Sequence, residues 1–237
     1  MSLAQPTAES STDQANAQSA HQAATFDWPT YADATLAGLS VLIPIPLLDM
    51  AFESYFRRRM PQTIVRQDGH TLTPAVLRLL QNQPGGFSNL WRGCLLWPFK
   101  LLGEFIVRLS RKILYFLTIK KAVDALNYYW QRAFLLRYMT QQGYLAQDNA
   151  ALAVTALENT LAVRGKSPLT TLAQQIVYSP LRVWRALWHA RTHKTDPMLD
   201  ETSTRLALGW GGFNSFFVTL AQHYEQEYRR LRQTTQQ

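Results

Sequence analysis

Two histidines one helical turn apart, His189 and His193, have the spacing that lets two imidazoles hold one metal ion. The intervening Ala190-Arg191-Thr192 supplies no glutamate to act as a general base, so the pattern is not that of a zinc protease. Asp196, or the i, i+4 pair His223 and Glu227, could extend the set, yet paired histidines on a basic helix face are more often solvated or a pH-responsive patch. Asp49 and Glu53 offer paired carboxylates, but Arg57 one turn further makes a helical ion pair the simpler account. The single cysteine, Cys94, allows neither an intramolecular disulfide nor a cysteine zinc site. No phosphate-cradling glycine loop and no nucleophile elbow occurs. The sequence therefore assigns no catalytic residue, metal site or cofactor, and a non-enzymatic role is favoured.

Binding is better represented than catalysis. Residues 40–59 read SVLIPIPLLDMAFESYFRRR, an apolar run cut by Pro44 and Pro46 that turns amphipathic and ends in Arg57-Arg58-Arg59. The arginines sit where they complement the negative end of a helix dipole. The stretch reads either as a broken apolar hairpin dipping into a bilayer with arginines at the headgroups, or as a helical hairpin of an ordinary core. Within it, Gly38-Leu-Ser-Val-Leu-Ile-Pro-Ile-Pro-Leu-Leu-Asp49 resembles the small-residue, aliphatic, Pro-x-Pro, aliphatic, Asp segment of the EcsC family of bacterial membrane-associated helical proteins. That resemblance covers residues 38–49 and implies membrane association with no transferable catalytic residues.

A second stretch, residues 99–119, places Lys100, Glu104, Arg108, Arg111 and Lys112 within an arc of about 120° on an otherwise apolar helix. Trp91 and Trp97 precede it and Lys120-Lys121 follow. A basic stripe on an apolar helix suits an anionic surface, while a central bundle helix with one wet edge would share the pattern. The expected lipid-binding residues are Arg57, Arg58, Arg59, Lys100, Arg108, Arg111 and Lys112, with Trp91 and Trp97 as interface anchors.

Composition points the same way. Apolar residues make up 47% of the 237 and charged residues only 17%, below the roughly 25% usual in soluble domains. A mean hydropathy of −0.17 nevertheless opposes a multi-span membrane protein. The net charge of +8 is concentrated in residues 91–140, where nine lysines and arginines face only Glu104 and Asp124. Such a block could meet anionic lipid, nucleic acid or an acidic protein; its apolar content favours lipid. Nucleic acid is disfavoured, because no helix-turn-helix, zinc-finger or RNP-type signature accompanies the charge. The first residues lack a basic region followed by an apolar one, so a secretory signal is not expected, and a cytoplasmic location at the membrane surface is.

The elements that must position these residues are helical. Residues 1–25, rich in Ala, Gln, Ser and Thr, are expected to be a disordered tail, and 26–237 a single all-α domain of about eight helices. Helices are expected over 31–43, 47–60, 74–81, 89–118 (kinked at Pro98), 122–141, 148–163, 168–178, 180–193 and 199–208, with a last one from Phe213. The 15 uncharged residues between Asp33 and Asp49 fall short of the roughly 20 needed for a straight span. The expected function is a peripheral or re-entrant protein on anionic membrane surfaces; the alternative is a soluble helical adaptor that binds a protein partner through a basic apolar face.

Overall fold

The computed structural model describes residues 8–42, 48–81, 111–146, 148–163, 167–178 and 207–235. Of residues 8–14, 48–49 and 111–116 it describes the backbone alone. The fold is all-α. In chain order the helices are α1 (Ala8–Ala24), α2 (Trp28–Leu39) with a 3-10 turn at Ser40–Leu42, α3 (Leu48–Gln67), α4 (Pro74–Gln81), α5 (Arg111–Gln141), α6 (Ala150–Ala162), α7 (Thr170–Val177) and α8 (Asn214–Thr235). A short helical segment at 207–211 leads into α8.

Helix α5 is the axle. Its 31 residues extend about 46 Å at 1.5 Å per residue, and it packs against α1, α2, α3, α6, α7 and α8. Its sequence explains the position: Ala122, Leu126, Tyr129, Trp130, Ala133, Phe134, Leu135 and Met139 point in every direction around the helix, and all are buried. A helix apolar over most of its circumference must be enclosed on most sides, and among the described residues only the edge carrying Lys120 and Asp124 faces solvent. Helix α2 crosses it most closely at Gly38, where a Cβ would stand 2.7 Å from Leu126 Cδ2 and 2.9 Å from Leu126 Cα. Only glycine permits that approach.

The N-terminal segment departs from the expected disordered tail. Residues 8–24 form α1, and Ala20, Ala23 and Ala24 are fully buried. Alanine combines the best helix propensity with the smallest side chain that still packs, so α1 can lie close against α8 and α5 without large apolar residues of its own. Trp210 completes the docking: its indole N–H donates to the Ala24 carbonyl at 3.1 Å, and its ring meets Phe26, Tyr31, Trp130 and Phe217.

Two helices run through expected breaks. Helix α3 continues past Pro61 to Gln67, because buried Phe56, Met60, Ile64 and Val65 hold both halves against the core. The cost of the missing N–H at Pro61 is outweighed by that packing. Helix α5 likewise passes without interruption through 118–122. Both α3 and α5 end in Schellman motifs. Gly69 (φ 74°) and Gly143 (φ 70°) take the left-handed position, and the next residues, His70 and Tyr144, donate back to Val65 and Met139. Thr73 caps α4 as expected, its hydroxyl accepting from the Val76 N–H at 3.5 Å. Ser167 caps a turn at 168–169, so α7 begins two residues later than expected, at Thr170. Of the helix expected over 89–118, residues 89–110 lie outside the described residues, as do the helix expected over 180–193, residues 199–206 of that expected over 199–208, and Pro44, Pro46 and Pro98.

Candidate functional site

Helix α3 carries the opening stretch of interest, and its arginines part company. The stretch's N-terminal flank, α2, is not a free apolar arm: Leu36, Ala37 and Leu39 are buried, and α2 packs along α3 as well as α5. On α3, Arg57 turns inward toward Tyr128 and Tyr129, and its buried Nε has no hydrogen-bond partner among the described residues. Glu53, one turn earlier, is also buried and accepts from the Tyr129 hydroxyl at 2.5 Å. Burial pushes the Tyr129 phenol well above its ordinary range, and the Glu53 carboxylate adds to that.

Arg59 is tied down. Its Nε lies 3.4 Å from Asp33 Oδ2, and the Thr63 hydroxyl donates to the same oxygen at 2.7 Å. Burial raises the Asp33 carboxyl above the ordinary carboxylate range, opposed by the Thr63 bond and the Arg59 charge. Arg59 Nη1 also donates to the Tyr55 hydroxyl at 3.4 Å, leaving its side chain one-third exposed. Arg58 points to solvent, and its carbonyl accepts from Gln81 Nε2 at 3.3 Å, joining α3 to α4.

The outer face of α3 therefore presents Tyr55, Arg58, Arg59, Gln62 and Arg66 within an arc of about 100°. Tyr55 is 52% exposed, and Arg58 and Arg66 are exposed. These residues line an open groove of about 850 Å³ whose walls also include Ser54, Thr63, Gln67 and Gln81 and no aspartate or glutamate. Chemically it is a row of guanidinium donors with amide and hydroxyl donors between them, suited to oxyanions.

The other expected lipid contacts are placed less fully. Trp91, Trp97, Lys100 and Arg108 lie outside the described residues, and so do His189, His193 and Asp196. Arg111 and Lys112 fall in the first turn of α5, where only the backbone is described. Of the remaining metal candidates, Glu227 is engaged by Arg230 at 2.6 and 2.9 Å and by Asn159 at 2.7 Å. Those bonds hold its carboxyl down at about 2. No cluster of three or more metal-binding side chains occurs among the described residues.

A polar constellation escaped the sequence reading. Glu225 of α8 is buried, its Oε1 accepting from Tyr138 and Tyr144 at 2.8 Å and its Oε2 from Tyr144 at 2.9 Å. Burial chiefly, and then the Glu225 charge, hold the two phenols above their ordinary range. The register contained the signal: Glu225 lies one turn after Ala221 and two after Phe217 on the inward stripe of α8.

Fold and groove together define an all-α protein with a basic outer helix. No protein-family model, curated protein or solved structure matches the chain.

Proposed function

We propose that this is a non-enzymatic, peripheral membrane-associated protein that binds anionic lipid surfaces through the outer face of α3. The observation that carries the reading is the one-sided chemistry of that helix. Its inner face is fixed in the core by Phe56, Met60 and Ile64, while its outer face offers Arg58, Arg66 and Tyr55 around a groove without acidic lining. A rigid helix presenting arginines and an exposed tyrosine suits the headgroup region, where aromatic rings and guanidinium groups settle together. Surface attachment is favoured over an inserted hairpin, because α2 is enclosed by α3 and α5. No helix among the described residues is long and apolar enough to cross a membrane.

The test is flotation of the full chain with neutral and with phosphatidylserine-containing vesicles, at low and high salt. Binding is expected to anionic vesicles only, and to weaken with salt. Each arginine near such a surface contributes about 1 kcal/mol, so Arg58→Gln with Arg66→Gln should weaken binding by about thirtyfold. Equal flotation of the double variant overturns the assignment to α3. No flotation of the parent chain would redirect the groove to an acidic protein partner.

A further inference from the structure

The chemistry of the α3 groove is narrower than positive charge alone, because its three guanidiniums are held differently. Arg59 is fixed: its Nε lies 3.4 Å from Asp33 Oδ2 and its Nη1 3.4 Å from the Tyr55 hydroxyl, which leaves the Nη2 edge for a ligand at the groove wall. An arginine already immobilised loses little rotamer freedom when it takes up that ligand. Arg58 and Arg66 are exposed and make no ion pair among the described residues. They stand at i and i+8 on α3 with Gln62 midway, about 6 Å from each along the axis. An anion seated over Gln62 is therefore within reach of both, with Arg59 beside it.

Three guanidiniums offer more donors than a phosphodiester can fill, since a diester has a single charge and a pair of unesterified oxygens. A phosphate monoester carries a charge of about −1.5 to −2 at pH 7 and three strong acceptor oxygens, a closer match to several guanidinium forks. The groove lining also holds no aspartate or glutamate, so the ammonium of a serine headgroup meets no counter-charge there. Shape decides the source of the phosphate. The 850 Å³ groove is open along one helix, whereas small-molecule sites bury about 70–90% of their ligand. A free phosphate ester would stay largely in water, while a headgroup is held against the groove by the bilayer around it.

We propose that the groove selects lipids with a phosphate-monoester headgroup, as in phosphatidic acid, over phosphodiester lipids; this rests on the lipid-surface reading above. Arg58 and Arg66 take the phosphate oxygens from either side, Arg59 donates from Nη2, and Gln62 lies beneath.

The test is flotation of the full chain with phosphatidylcholine vesicles carrying phosphatidic acid, phosphatidylglycerol or phosphatidylserine, matched in surface charge by electrophoretic mobility. Phosphatidic acid is expected to bind about tenfold more tightly than either diester, the effect of one further charge-assisted hydrogen bond. Arg58→Lys with Arg66→Lys keeps the charge at two exposed positions but removes both guanidinium forks, and the preference should fall to about threefold or less. Millimolar glycerol 3-phosphate should displace no more protein from phosphatidic acid than sodium chloride of equal ionic strength does. Equal binding to the three lipids at matched charge, or an undiminished preference in the lysine variant, would overturn the selectivity while leaving attachment to anionic surfaces in place. Full displacement by glycerol 3-phosphate would overturn the lipid as the source of the phosphate. No flotation with any anionic vesicle would overturn both this proposal and the reading on which it rests.

Discussion

Replacing Gly38 by alanine reverses the usual sign of a helical glycine substitution. In the interior of an ordinary helix the change gains about 0.5–1 kcal/mol, because alanine restricts the unfolded chain and suits the helix. Here the added Cβ would lie 2.7 Å from Leu126 Cδ2, 2.8 Å from Leu126 Cγ and 2.9 Å from Leu126 Cα. Carbon atoms in ordinary contact stand about 3.5–4.0 Å apart. A rotamer change moves Cδ2 and Cγ but not the Cα, so α2 and α5 must separate by roughly 0.6–1 Å along their crossing. Overpacking of that kind costs about 1–3 kcal/mol, which offsets the propensity gain and leaves a net loss of up to about 2.5 kcal/mol. Urea denaturation should show a lower midpoint with an unchanged slope. A Gly38→Ala, Leu126→Ala pair should be less destabilised than the sum of its parts, because the shortened Leu126 removes two of the three clashes. A Gly38→Ala protein more stable than the parent would refute the close crossing of α2 and α5.

Arg132, fully buried, bonds Glu158 at 2.6 Å, the Tyr128 hydroxyl at 3.2 Å and the Leu80 carbonyl at 3.2 Å, tying α5 to α6 and α4. Arg132→Ala should cost about 3–5 kcal/mol by urea denaturation, and Arg132→Met with Glu158→Leu should recover most of it. On the alkaline side, Tyr138 and Tyr144 keep their protons in the folded chain above the ordinary value of 10.0. The unfolded chain ionises first, so their contribution is complete below about pH 10 and lost as pH rises beyond it. Tyr144→Phe should make the fall in stability as pH rises beyond about 10 shallower; an identical slope there would exclude Tyr144 as a source.

What could be read directly from the residues was local chemistry. Gly143 and Thr73-Pro74 mark helix ends, and the apolar periodicity of 122–141 marks a helix, through rules that act over a few residues, and each recurs in the fold. What escaped depends on distant partners. Residues 8–24 are too polar to order themselves, but Trp210 and α8 give their alanines a surface. Pro61 should end a helix considered alone, and does not because residues on both sides of it are buried. Within the site, Arg57-Arg58-Arg59 look alike in sequence; whether each faces Tyr129, water or Asp33 follows from successive 100° steps around α3 and from what stands opposite. Glu225 was hidden by its charge, since carboxylates are rarely buried unless partners such as Tyr138 and Tyr144 come from elsewhere.

The bond from Trp210 to Ala24 joins positions 186 residues apart. On a ribosome working at about 5–20 residues per second, α1 waits some 10–40 s after its own synthesis before its indole clasp exists. Through that interval its alanine stripe has no aromatic lid, and its low apolar content protects it from sticking elsewhere. The first described helix to be made is thus among the last to be locked, and the modest greasiness that concealed it in the sequence leaves it little apolar surface to expose while it waits.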